Sequence, residues 1–271
     1  MKYLLPLFLL FSCGDDSFRK VEELDAFRIL AIEADTPEVA AGDVSNLNLY
    51  LSDPKSTGRN VTFDVKACVD PGIGRGADVS CDFDPGAFTD SLTVDTGTLG
   101  SGAFNTGRTS TLAITVPADI LQNRSSLERF NGVGYIVIFT ADIDGKEVKS
   151  FRRILVTSRP PGDRNNNPAI SRLELNGSVL GAVKPKKNDD LSVIANAPEN
   201  YSVILSDGST ENRAESYNVA WYLSSGTVNK PKAKVGVTVE YLDDPPADDL
   251  LVVAVVRDER GGVVVQEVVV P

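Results

Sequence analysis

The feature that most constrains this chain is a pattern of short apolar segments, separated by Gly, Pro and Asp, that runs through the sequence twice. In the first pass, residues 27–32 have a strand-like apolar content, and Pro37 and the turn around Gly42 end it. Residues 44–51 follow, alternating from Leu47 onward, and then residues 61–65 alternate and run to Cys68. Residues 110–116 place Leu112, Ile114 and Val116 on one face. Residues 135–140 are almost wholly apolar, as a central strand should be, and Asp142-Ile143-Asp144-Gly145 turns them into the returning residues 147–156. Strict alternation reads as a half-buried strand, and many short strands with turn residues between them read as a sandwich.

The second pass begins after residues 158–168, where Pro, Gly and Asn leave nothing that reads as buried, so residues 159–168 are taken as a linker. Residues 170–175 match the 27–32 strand and 190–194 match 43–47. Residues 218–223 stand in for 63–65, 250–256 for 135–140, and Asp258-Glu259-Arg260-Gly261 for the Asp142 turn. Residues 263–270 close the chain. A repeat of roughly 100 to 130 residues means two copies of a domain rather than a solenoid. The expected fold class is therefore all-β, two tandem immunoglobulin-like β-sandwiches, over 27–158 and 169–271. Trp221, the only tryptophan, sits where such folds bury a tryptophan on the third strand. One helix is expected, over 117–130, with Ile120, Leu121, Leu127 and Phe130 as its apolar face and Pro117 at its start.

The order of segments is similar to the tandem immunoglobulin-like repeats of bacterial surface lipoproteins. Arg28-Ile29-Leu30-Ala31 resembles their first strand and Arg257-Asp258-Glu259-Arg260-Gly261-Gly262 their hairpin. These motifs are structural and imply no activity.

The N-terminus carries a different signal. One Lys precedes an apolar run from Tyr3 to Phe11, and nine residues are too few to span a bilayer core, which takes about 20 in a helix. Pro6 and the lack of alternation argue against a strand, and the segment grammar is that of a secretory signal peptide over 1–12. Leu10-Phe11-Ser12-Cys13 resembles the lipobox of bacterial lipoproteins, with Phe11 bulkier than usual. The resemblance implies diacylglyceryl transfer to the Cys13 sulfur, cleavage before it and acylation of the new amine, a palmitate-type anchor followed by a polar tether over 13–26. Two or three acyl chains on one residue hold firmly where one binds marginally. Gly14 after the cysteine favours the outer membrane, with the membrane face left open.

Assigning Cys13 to lipid leaves Cys68 and Cys81 out of three cysteines, and in an exported protein such a pair forms a disulfide bond. Both flank one Gly-rich loop, so this is not the inter-sheet bond of antibody domains.

Candidate chemistry is sparse. The chain has no histidine, which removes the commonest general base and metal ligand and any Ser-His-Asp arrangement within it. With 27 Lys+Arg against 38 Asp+Glu the net charge is -11, and no basic cluster offsets it, so nucleic acid is excluded as a partner. Ser52-Asp53-Pro54-Lys55 has S-x-x-K spacing, but Pro54 breaks the helix face that motif needs. Asp70, Asp78, Asp82 and Asp84 crowd the cysteine loop, and Asp243, Asp244, Asp248 and Asp249 another; neither has the spacing of a calcium loop. Asp163, Asn165 and Asn167 resemble a loose copy of the cadherin inter-domain segment, which implies calcium, against the plainer reading of a turn-rich linker. No cofactor is called for.

The expectation is a membrane-anchored cell-envelope lipoprotein with a structural or binding role and no catalysis. Its ligand is an unknown protein or glycan, bound by the first domain, which owns the pinned loop and the Gly-rich insertion over 97–109. The alternatives are a carbohydrate- or calcium-dependent adhesive module and an accessory domain of an envelope hydrolase.

Overall fold

The structure is a computed structural model that describes residues 22–54, 58–72, 78–100 and 104–271. The expected signal peptide, Cys13 and the expected tether up to residue 21 lie outside the described residues.

The first sandwich uses β1 (Arg28–Ala34), β2 (Glu38–Val39), β3 (Val44–Ser52), β4 (Asn60–Val69), β5 (Phe88–Asp95), β6 (Thr106–Arg108), β7 (Leu112–Thr115), β8 (Val133–Ile143) and β9 (Lys146–Val156). One sheet pairs β1, β3 and β6, with β7 also on β3; the other runs β2-β9-β8-β4-β5. Pro37 is where the chain leaves the first sheet for the second: β2 pairs in parallel with the end of β9, through Glu38 opposite Leu155 and Val39 opposite Val156. The inward side chains fill one core, with Phe63 packed edge-on against Phe139 at 6.4 Å.

The second sandwich uses β10 (Ile170–Leu175), β11 (Ser178–Val179), β12 (Asp190–Ala195), β13 (Asn200–Ile204), β14 (Thr210–Ala214), β15 (Asn218–Leu223), β16 (Lys232–Lys234), β17 (Val239–Glu240), β18 (Leu250–Arg257) and β19 (Val263–Val270). Its sheets run β11-β10-β12-β17 and β16-β15-β18-β19, and β13-β14 stands apart as a hairpin. Trp221 is buried in the centre of its core.

The two passes through the sequence share the pairing order of their central strands. The β4-β8-β9 order of the first copy recurs as β15-β18-β19, and β1-β3 recurs as β10-β12. Even the irregularity is kept: the ladder slips between Ile29 and Ala31 in one copy and between Ile170 and Arg172 in the other. A bulge re-aims the side chains that follow it, so the first strand faces one way before the slip and the other way after it.

Three expectations are corrected. The helix over 117–130 shrinks to α1 (Ser126–Asn131), because Asn123 adopts a left-handed φ of 62° that no helix continues through, and a capping box of Ser125 and Glu128 then starts a new one. The linker is not free of burial: Arg159 and Asn165 are 4% and 3% exposed. Nor is the tether all polar and loose. Glu22 and Leu24 exchange backbone hydrogen bonds with Leu223 of β15, and Leu24 is buried.

Leu24 belongs to a third apolar cluster, which joins the two sandwiches. Leu30, Ala31 and Tyr50 from the outer face of the first pack on Ala220, Leu251, Val253, Val255, Val263 and Val265 from the outer face of the β15-β18-β19 sheet. This accounts for β18, in which seven of eight residues are buried: one face fills the second core and the other fills the joint. A sheet covered on both faces loses its polar alternation.

Cys68 and Cys81 form a disulfide. Cys68 points away from the first core, and the bond sits with Val79, Ile136 and Ile138 in a small cluster on the outside of the sheet. With a sequence separation of 13, the closed loop stabilises by about 3 kcal/mol in the chain-entropy account. The double variant Cys68→Ala/Cys81→Ala is therefore expected to lower the unfolding free energy of the first domain by that amount in urea titrations, with no change in the second.

Candidate functional site

The joint between the domains is where the unusual side chains collect, and Glu38 is at its centre. Its position follows from Pro37 and the sheet switch, which turn the first residue of β2 inward at the end of the sandwich. The Glu38 side chain is wholly buried. Its Oε1 accepts from Thr157 Oγ1 at 2.7 Å, and its Oε2 accepts from the Asn165 amide N–H at 3.0 Å and from Arg260 Nη2 at 2.6 Å. Arg159 Nη1 stands 3.8 Å away. Donors from β9's end, from the linker and from the β18-β19 turn thus meet on one carboxylate.

Arg260 is the other pole. It reaches Glu215 at 3.2 Å and Glu199 at 3.9 Å, and its guanidinium stacks on the Tyr201 ring at 4.7 Å. Burial pushes the Glu215 carboxyl up from its ordinary range and the Arg159 guanidinium down. Three acids, Glu38, Glu199 and Glu215, face two arginines, Arg159 and Arg260, in this pocket, and each acid has an arginine partner. These ion pairs link groups of the first domain, the linker and the second domain across the joint.

The turn that delivers Arg260 is built for the purpose. Asp258 Oδ1 accepts from the N–H groups of Arg260 and Gly262, and its Oδ2 accepts from Asn165 Nδ2 at 3.1 Å. A Cβ at Gly262 would fall 2.0 Å from Asp258 Oδ2 and 2.9 Å from Pro168 Cδ, so only glycine fits there. The Arg-Asp-Glu-Arg-Gly-Gly stretch that marks the repeat in sequence is therefore the part of the second domain that grips the first.

Beside this network lies a cleft of about 380 Å³ lined by Phe130, Arg159, Asn166, Glu199, Tyr201 and Arg260. The short helix α1 carries Phe130 into it and docks on the hairpin through Asn131, whose amide accepts from Ile204 N–H at 2.8 Å and donates to Ile204 O at 2.6 Å. Arg159 covers the Phe130 ring at 4.8 Å and donates to the Phe130 and Ser202 carbonyls. The walls offer guanidinium, amide and carboxylate groups over two aromatic rings, an arrangement suited to a polar ligand.

The residues singled out in sequence fall in several places. Asn165 and Asn167 are brought to the joint, where Asn167 donates to Ala34 O at 2.6 Å and accepts from Val263 N–H at 3.0 Å. Asp163 is exposed. The Asn165 and Asn167 amides thus tie the linker to both domains. Among the described residues, no three His, Cys, Asp or Glu side chains gather as a metal site. The acids around the disulfide are committed: Asp70 pairs with Arg153, Asp78 with Lys149 and Asp82 with Lys66, while Asp84 caps the Gly86 amide. Their lysine partners hold Asp78 and Asp82 below the usual carboxylate range. Asp53 of the S-x-x-K stretch is buried and gripped by Arg59 through two bonds of 3.0 Å. The Gly-rich insertion over 97–109 faces the second domain rather than solvent alone, since Arg108 donates to Val265 O at 2.8 Å.

Glu38→Gln is expected to lower stability by about 3 kcal/mol in chemical denaturation, because it leaves Arg260 short of a buried countercharge. A double-mutant cycle with Arg260→Met should show a coupling of at least about 1 kcal/mol. Strict additivity would mean that the two side chains do not share this bond.

No protein-family model matches the chain, and no curated protein matches it. Among solved structures it is similar to a transglutaminase of red sea bream, at 11% identity and a TM-score of 0.28 over 90% of this chain and 31% of that one. It is similar also to dimeric latent PorU of Porphyromonas gingivalis, at 14% and 0.24 over 95% and 25%. A third is the native conformation of Escherichia coli alpha-2-macroglobulin, at 12% and 0.27 over 89% and 16%. The chain spans less than a third of the length of each.

Proposed function

We propose that this chain is a lipoprotein of a bacterial cell envelope, anchored through Cys13, most directly in the outer membrane, with a structural or binding role and no catalysis. The polar cleft at the joint is its ligand site, and the ligand is a protein or a glycan. The observation that carries this reading is the seating of the N-terminal segment. Glu22 and Leu24 are bonded to Leu223, and Cys13 stands nine residues before Glu22. A chain of that length reaches at most about 30 Å when fully extended. A lipid on Cys13 would thus hold both sandwiches close to the bilayer, with the joint fixed by a buried ion network and an apolar cluster rather than left to swing. The absence of catalysis rests on the same site: its buried carboxylates are locked to arginines, and the chain has no histidine to share a proton.

Phase partitioning of cells expressing the full chain tests the anchor. The wild type is expected in the detergent phase and Cys13→Ala in the aqueous phase. A wild type that stays aqueous would remove the lipoprotein reading and leave the fold untouched.

A further inference from the structure

A second cleft lies where the first sandwich is open at its side, between β1 and β9. Its inner part, of about 230 Å³, is lined by residues 29–32 and 150–152 with Tyr222, Arg257 and Val263. The outer part, of about 300 Å³, shares Ile29, Leu30, Ser150 and Tyr222 and adds Phe27, Arg28, Val148 and Lys149. The charged residues along both parts are Arg28, Lys149, Arg152 and Arg257, and no acid lines either one, in a chain whose net charge is -11.

Three of these cations are already engaged. Arg28 pairs with Asp25 at 3.4 Å, Lys149 pairs with Asp78 at 2.8 Å, and Arg257 donates to Leu30 O at 2.8 Å. Arg152 is different. It occupies an inward position of β9, in line with Ile154 and Val156, and is 6% exposed. Its Nε and Nη2 are buried without any hydrogen-bond acceptor among the described residues. The acids that act on it through space are Asp258 and Glu33, and both are committed elsewhere. Asp258 serves the Arg260 and Gly262 amides and Asn165, and Glu33 serves Arg108 and the Val265 amide. Burial without a bonded partner pushes the Arg152 guanidinium down to about 10, yet it remains a cation at neutral pH. A buried guanidinium with unmade bonds opposes folding, and such a group needs a reason to be kept.

We propose that the cleft between β1 and β9 binds a carboxylate on an apolar stem, with the Arg152 guanidinium as the receptor for the carboxylate and Phe27, Ile29, Leu30, Val148 and Tyr222 as the seat of the stem. A carboxylate matches the site in charge and shape. It is a single negative charge for a single unspent guanidinium, and its two oxygens fit the planar fork. A phosphate dianion would bring a second charge for which no free cation remains. The stem-binding part is walled by two aromatic rings and three aliphatic side chains, which favour burial of apolar surface. The same chemistry belongs to a short fatty acid and to the C-terminus of an apolar peptide.

The test is titration of the full chain with hexanoate, and separately with N-acetyl-Leu-Val-Val bearing a free C-terminal carboxylate. Hexanol and hexyl phosphate serve as controls, and the readouts are calorimetry and the Nε–H resonance of Arg152. Saturable binding that moves this resonance is expected for one or both carboxylates, and the tighter of the two identifies the source. Arg152→Met is expected to weaken that binding by at least about tenfold, while a circular dichroism spectrum unchanged from wild type shows that it still folds. Should the variant not fold, the wild-type resonance decides alone. Binding of hexanol or hexyl phosphate as tight as that of hexanoate would overturn the proposal, as would an Arg152 resonance that no carboxylate moves.

Discussion

Everything about the way the two domains sit together depends on a carboxylate with no access to water. Removing Glu38 from solvent costs several kcal/mol, and only a full set of charge-assisted hydrogen bonds offsets it. Those bonds come from Thr157, Asn165 and Arg260, one from each of the three parts of the molecule that must be arranged: first domain, linker and second domain. If the domains rotated apart, the buried charge would lose its main partner before it regained water. The joint therefore favours one arrangement more than contact area alone would, since apolar surfaces tolerate sliding and a hydrogen-bonded ion pair does not.

Around that fixed point the first domain also finishes the second. Strand β19 is the last of its sheet, and an edge strand exposes amides and carbonyls that invite pairing with another chain. Here side chains of the first domain and the linker meet some of them. Asn167 takes the Val263 N–H, Glu33 takes the Val265 N–H, and Arg108 takes the Val265 carbonyl. Tyr50 bonds Glu267 on the same strand, and burial with that carboxylate pushes its hydroxyl far up from the ordinary tyrosine range. Three polar side chains, Asn167, Glu33 and Arg108, thus do at the seam what a neighbouring strand would do within a sheet.

The sequence made legible whatever was set by periodicity. The central strands of both copies, the Asp142 and Asp258 turns and the Cys68–Cys81 pair are all read from local pattern. Strand β5 went unread because it is an edge strand in which only Phe88, Leu92 and Val94 reach the core, and the β13-β14 hairpin because it has no buried residue at all. The polar site was hidden for a different reason. Glu38, Arg159, Asn165 and Arg260 look like ordinary surface residues, and their burial arises only when two domains meet, which no local pattern encodes. Arg152 carried one faint signal, a charge at an inward position of an otherwise regular strand. The run of apolar residues in β18 was a second such sign: a strand with no polar face must be covered on both sides, and its second cover turned out to be the other domain.

The seating of Leu24 on β15 has a mechanical consequence. The chain enters the molecule along the second domain and only then crosses to start the first, so a pull on the N-terminus does not stretch the two sandwiches in series. It is met first by the short parallel pairing at Leu223, which is anchored in a central strand of the second domain, and by the apolar cluster that Leu24 shares with both domains. Tension from that end presses on the seam as a whole. The pair would then behave under force as one stiff block hung from its side, rather than as two beads on a string.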